Sequence, residues 1–218
     1  PLLVGGTMMY FRSLIDGISE LPDANPAIRA AIEDEAAQVG WKSMHQQLAI
    51  IDPVAAARIN ENDSQRIQRA LEVYRVSGKP LTEWQERTEP QGCFSYSKYA
   101  LLPEPRAVLH ERIEARLDMM MDAGFVEEVR QLRTRSNLTA THPSMRAVGY
   151  RQIWSYLNGE LEFSEVRNRI LAASRQLAKR QITWLRSESK LRTLNPLEVD
   201  PYVSISAELR SLLEDVRN

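Results

Sequence analysis

The stretch LLVGGTMMYFRSLIDG, Leu2 to Gly17, decides the reading of the fold. Its first three residues are an apolar run without polar alternation, the pattern of a short parallel strand buried on both faces. Gly5 and Gly6 turn the chain, Thr7 can cap, and MMYFRSLIDG runs on as a helix stopped near Gly17. A buried parallel strand belongs to a sheet covered by helices. Its partners must come from elsewhere in the chain or be missing.

Outward from this stretch the pattern turns helical. Asn25-Pro26 starts a helix that Gly40 stops, and Trp41 to Ile51 reads as the next. Asp52-Pro53 opens a short third helix. Asp63 or Ser64 caps QRIQRALEVYRVSG, ended by Gly78, and Pro80-Leu81 begins a brief fifth. After a polar loop, Tyr96–Leu102 reads as a strand ended by Pro103. Helices are expected at Glu104–Met121, Phe125–Arg133, Ser144–Leu157 and Ser164–Arg186. Residues 191–204 look strand-like, and Ala207–Arg217 closes the chain as a helix. The expected class is α/β and predominantly α, with a core at 1–24, an all-helical insertion at 25–95 and a return to the core at 96–218.

Composition narrows the function classes. The 218 residues are 43% hydrophobic and 26% charged, with 28 Lys and Arg against 29 Asp and Glu. A net charge of −1 gives no global pull toward polyanions, so any such pull is local. Cys93 is the only cysteine, which excludes an internal disulfide and makes a reducing cytoplasm the default. His45, His110 and His142 lack the spacing of a metal cage. No apolar run approaches the roughly 20 residues of a membrane span. A soluble monomer, with no membrane partner, is expected.

Four segments could carry chemistry. VGGT followed by a helix start presents backbone N–H groups that suit a phosphate, although taken alone it reads first as a tight turn capped by Thr7. It is no Walker A loop, which needs Gly-Lys-Ser/Thr. In NDSQRIQRALEVYRVSGKP, Gln65, Arg66 and Arg69 stand near a helix start, where they grip phosphates or lie over a core. In HPSMRAVGYRQIWSYL, Arg146 and Arg151 bracket Gly149, which costs about 1 kcal/mol inside a helix and so marks a close approach. Tyr150 and Trp154 read there as packing residues. The fourth is the strongest. Residues 166–190 hold Arg167, Arg169, Arg175, Lys179, Arg180, Arg186 and Lys190 against one acid, Glu188. At 100° per residue Arg175, Lys179, Arg186 and Lys190 share a sector of about 60°. A basic stripe opposite an apolar face is a track for a polyanion. No catalytic triad and no HExxH motif is present.

Together, in this order and at these distances, VGGTMMYFRSLIDG, NDSQRIQRALEVYRVSGKPL, MRAVGYRQIWSYLNGE and RQLAKRQITWLR resemble the C-terminal two-thirds of a bacterial tRNA dimethylallyltransferase. The likeness runs from Pro1 to about Arg186. It implies transfer of a dimethylallyl group from dimethylallyl diphosphate, accompanied by Mg2+, to N6 of the adenosine 3′ to the anticodon in tRNA. It also implies a core similar to P-loop kinases and a helical insertion that grips the anticodon stem-loop. By the same likeness Thr7 faces the channel that receives the flipped nucleotide. Arg29 contacts the RNA. So do three segments: Gln65, Arg66, Ile67, Gln68 and Arg69; Arg146, Ala147, Val148, Gly149, Tyr150 and Arg151; and Lys179, Arg180, Gln181, Ile182, Thr183, Trp184, Leu185 and Arg186. The family's P-loop and catalytic aspartate lie upstream of VGGT, so this chain alone is expected to be inactive. An adenine-nucleotide prenyltransferase, a nucleotide-kinase-like phosphotransferase and a non-catalytic helical RNA-binding module are the alternatives.

Overall fold

In a computed structural model, the structure describes residues 1–86 and 94–215, with side chains as far as 211. Cys93 and the polar loop around it lie outside the described residues, as do the last residues of the expected closing helix. The chain divides into two compact units, residues 1–8 with 96–218, and residues 9–95.

The second unit is all helical among the described residues. It holds α1 (Met8–Asp16, apart from its first residue), α2 (Pro26–Val39), α3 (Trp41–Ile51), α4 (Pro53–Arg58), α5 (Ser64–Ser77) and α6 (Leu81–Glu86). Helix boundaries follow local chemistry. The Asn25 side chain accepts from Ala27 and Ile28, Asp52 accepts from Ala55, and Asp63 accepts from Arg66, each occupying otherwise orphaned amides of a first turn. Gly40 and Gly78, at φ +82° and +71°, end α2 and α5. The core is built from Ile32, Ala36, Met44, Leu48, Ile67, Ala70, Leu71 and Val73. These recur at helical spacing and put one apolar face of each helix inward. Buried Asp52 also ties α6, accepting from the Thr82 amide at 2.9 Å and its hydroxyl at 2.7 Å.

The first unit carries β1 (Lys98–Leu101), α7 (Arg106–Asp122), α8 (Phe125–Arg133), α9 (Tyr150–Leu157), α10 (Phe163–Arg186), β2 (Leu191–Leu194) and α11 (Pro201–Asp215). β1 and β2 pair in parallel, Lys98 opposite Leu191 and Leu101 opposite Leu194. Leu117, Phe125, Val129, Met145, Ile153, Trp154, Val166, Ile170 and Leu171 form the core beneath α7 to α10.

Three expectations are corrected. Residues 2–4 are not a buried strand: Leu2, Leu3 and Val4 are exposed. A strand needs a neighbour for its N–H and C=O groups, and among the described residues none pairs with this run. The helix expected from Ser144 begins only at Tyr150, because Gly149 stands at φ +96°, ψ −62°, outside the right-handed helical region. α11 starts at Pro201 rather than Ala207, with the Asp200 carboxylate accepting from the Tyr202 amide at 2.8 Å.

Candidate nucleic-acid interface

Within the second unit, the residues singled out on α5 are divided by burial. Gln65 and Arg66 are exposed in the first turn, and Arg66 pairs with Asp63 at 3.4 Å. Ile67 is fully buried, so its side chain presents nothing to a ligand. Gln68 donates to Glu33 at 2.8 Å and to the Arg29 carbonyl at 3.3 Å.

Arg29 and Arg69 converge on Glu72, whose side chain is wholly buried. Arg29 donates to it through Nε at 2.9 Å and Nη2 at 3.1 Å, Arg69 through Nη1 at 2.8 Å, and the Asn25 amide at 2.8 Å. Arg69 also donates to the Pro22 carbonyl at 2.8 Å. Burial pushes the Glu72 carboxyl up, but the hydrogen bonds from Arg29, Arg69 and Asn25 outweigh it and bring its pKa to about 2. Glu72 thus fixes Arg29 from its Nε edge while the Arg29 side chain stays 44% exposed.

In the first unit, the loop before α9 displays Arg146 and Ala147, half-buries Val148 against the core and buries Gly149. The Gly149 amide donates to Gln152 Oε1 at 2.9 Å. A Cβ on Gly149 would lie 2.8 Å from the Phe125 ring, which is the close approach that the glycine marks. Tyr150 packs edge-on against Phe125, centroids 5.0 Å apart, and donates its hydroxyl to Glu128 at 2.5 Å. That bond and burial raise the Tyr150 phenol above its ordinary range. Tyr150 and buried Trp154 therefore pack, while Arg151 is exposed.

The basic stripe of α10 is partly neutralised from α7. Arg167 donates to Asp118 at 2.8 and 2.9 Å and to Glu114 at 2.8 Å, and Arg175 reaches Glu114 at 3.4 Å. Arg169 pairs with Glu165 at 3.8 Å. Lys190 lies past the helix end at φ +53° and drops out of the stripe. Lys179, Arg180 and Arg186 remain exposed, with no ion pair among the described residues. Ile182, Trp184 and Leu185 are half-buried, and Thr183 returns its hydroxyl to the Lys179 carbonyl at 2.9 Å. Gln181 donates to the Gly6 carbonyl at 2.9 Å, beside exposed Thr7.

Glu72, Glu114, Asp118, Phe125 and Gln152 were not singled out from the sequence. The acids carried a legible signal: Glu72 follows Arg69 by three residues, and Glu114 and Asp118 share one face of α7. Among the described residues no three His, Cys, Asp or Glu side chains gather to hold a metal. No described helix is long and apolar enough to cross a membrane.

Residues 1–188 match the IPP transferase family, and the chain belongs to it. It is similar to the full-length tRNA isopentenylpyrophosphate transferase of Bacillus halodurans, with 29% identity and a TM-score of 0.56 over 95% of this chain and 63% of that one. The chain thus spans less than two thirds of that relative's length. A Staphylococcus epidermidis tRNA delta(2)-isopentenylpyrophosphate transferase (23% identity, TM-score 0.54, 96% of this chain and 67% of that one) shares the fold. So does a eukaryotic dimethylallyltransferase acting on tRNA (24% identity, TM-score 0.64, 93% and 54%).

Proposed function

We propose that this chain serves tRNA prenylation, the transfer of a dimethylallyl group from dimethylallyl diphosphate to N6 of the adenosine 3′ to the anticodon. N6 forms a bond to C1 of the donor, the C1–O bond to diphosphate breaks, and N6 gives up a proton. The observation that carries this is local. On a chain of the IPP transferase family with net charge −1, Lys179, Arg180 and Arg186 are exposed on one helix and unneutralised among the described residues.

In this function those cations hold phosphates of the anticodon stem-loop, joined by exposed Arg146 and Arg151. Gln65, Arg66 and the open edge of Arg29 contribute from the second unit. A base extruded from an RNA loop needs its flanking phosphates held while it enters a pocket. Thr7, at the end of the glycine turn, meets that nucleotide. The core belongs with P-loop kinases, and no described residue is assigned to Mg2+. The protein works as a cytoplasmic monomer.

The test is binding of a labelled anticodon stem-loop with an adenosine-rich loop across a salt series. Replacing both Lys179 and Arg186 by alanine weakens binding and lowers the salt slope by about 0.7–0.9 per lost phosphate contact. Arg169→Ala, an exposed arginine already paired with Glu165, leaves the slope unchanged. A folded wild-type chain that binds no stem-loop, or binds it without salt dependence, refutes the proposal.

A further inference from the structure

We infer that Gln181 is a positioning residue for Thr7: its side-chain amide fixes the Gly6 peptide, and with it the backbone on which Thr7 stands. The inference rests on the proposed function for the part that Thr7 plays.

Gln181 Nε2 donates to the Gly6 carbonyl at 2.9 Å, closing a separation of 175 residues inside the first unit. The carbonyl only accepts, so the amide presents its NH2 and not its oxygen. A Cβ at Gly6 would lie 2.4 Å from that nitrogen, so a side chain there would displace the amide. Glycine at position 6 and a donor at position 181 are thus complementary. Residues 2–4 are exposed and unpaired in any sheet among the described residues, so they give the turn no ladder to hold it. Gln181 follows Lys179 and Arg180 on α10, and the helix that offers cations to RNA is the one that anchors the turn. A charged donor would add one more phosphate ligand; a neutral amide supplies direction without competing for the RNA.

The experiment compares wild type, Gln181→Glu, Gly6→Ala, Thr7→Val and Thr7→Val/Gln181→Glu. Glutamate keeps the shape and helix propensity of Gln181 but sets an acceptor against the carbonyl. Gly6→Ala breaks the same contact and leaves Gln181 in place. Backbone 15N order parameters over residues 5–8 are measured first. Gln181→Glu and Gly6→Ala are both expected to lower them from the ordered range of about 0.85 toward about 0.6, with those of the unit's core unchanged. The second reading uses an anticodon stem-loop with 2-aminopurine at the target adenosine, whose fluorescence reports unstacking. Gln181→Glu is expected to reproduce the loss of signal given by Thr7→Val. The double variant loses no more than either single one, and Gly6→Ala, which adds no charge beside Lys179 and Arg180, gives the same loss with the salt slope at the wild-type value. Unchanged order parameters over residues 5–8 in Gln181→Glu, or additive losses in the double variant, overturn the positioning role. A folded wild type that binds no stem-loop overturns the functional proposal instead, and the order parameters still decide whether Gln181 anchors the turn.

Discussion

Replacing Glu72 by glutamine keeps the side chain's shape and removes its charge from the centre of the helical unit. Its carboxylate is wholly buried and receives donors from Arg29, Arg69 and the Asn25 amide. The fall in its pKa from 4.5 to about 2, at about 1.4 kcal/mol per tenfold in proton affinity, corresponds to about 3 kcal/mol of stability. Arg29 and Arg69 are 44% and 30% exposed, so water compensates part of their loss. Glu72→Gln is therefore expected to cost about 2–3 kcal/mol at pH 7. The sign with pH follows from the depressed value. The contribution is fully present above the unfolded carboxyl's pKa near 4.5 and is lost as pH falls through about 2. Wild type and variant accordingly draw close near pH 2, where the native carboxyl is half protonated, and converge below it. Urea titrations read by hydrogen exchange on α2 and α5, at pH 7, 4, 3 and 2, measure the difference in the unit concerned. A difference under about 1 kcal/mol at pH 7, or one that persists undiminished at pH 2, refutes the reasoning.

Gly149→Ala is expected to lower the stability of the first unit by at least about 2 kcal/mol in thermal denaturation, since it combines a positive φ with a clash against Phe125. Adding Phe125→Leu recovers only the steric part. Asp52→Ala removes the cap of α4 and both bonds to Thr82, and is expected to cost about 2 kcal/mol by urea titration. Glu114→Gln weakens the hold of α7 on Arg167 and Arg175, so stem-loop binding tightens several-fold at low salt and its salt slope steepens. An unchanged slope refutes the view that α7 neutralises the stripe.

Helix boundaries in the second unit were legible because they are settled within a few residues. Asn25, Asp52 and Asp63 each satisfy amides two or three positions on, and Gly40 and Gly78 supply conformations that other residues resist. The same Asp-Pro signal stands at Asp200-Pro201, inside the stretch 191–204 that reads as strand-like, and there the Asp200 carboxylate meets the first turn of a helix. What failed was non-local. Whether residues 2–4 form a strand depends on a neighbour, and the conformation of Gly149 is fitted to a Phe125 ring brought up from α8. The family was legible in four segments taken jointly, and the match over residues 1–188 agrees.

The stripe on α10 shows the same division between local and non-local more sharply. Counted along its own helix it is almost free of acids, which favours a polyanion; counted in space, Glu114 and Asp118 occupy its N-terminal half. Of the cations that remain, Arg186 sits in the last turn, where it also offsets the negative end of the helix dipole, worth about 0.3–1 kcal/mol. Lys179 and Arg180 lie more than a turn from that end and face no described carboxylate, so neither pairing nor the dipole explains them. They are adjacent in sequence to Gln181, which holds the Gly6 carbonyl. The unexplained charge of α10 and its hydrogen bond to the Gly6 carbonyl therefore coincide on a single helical turn, Lys179 to Gln181, which is a narrower candidate for the proposed RNA contact than the basic composition of residues 166–190.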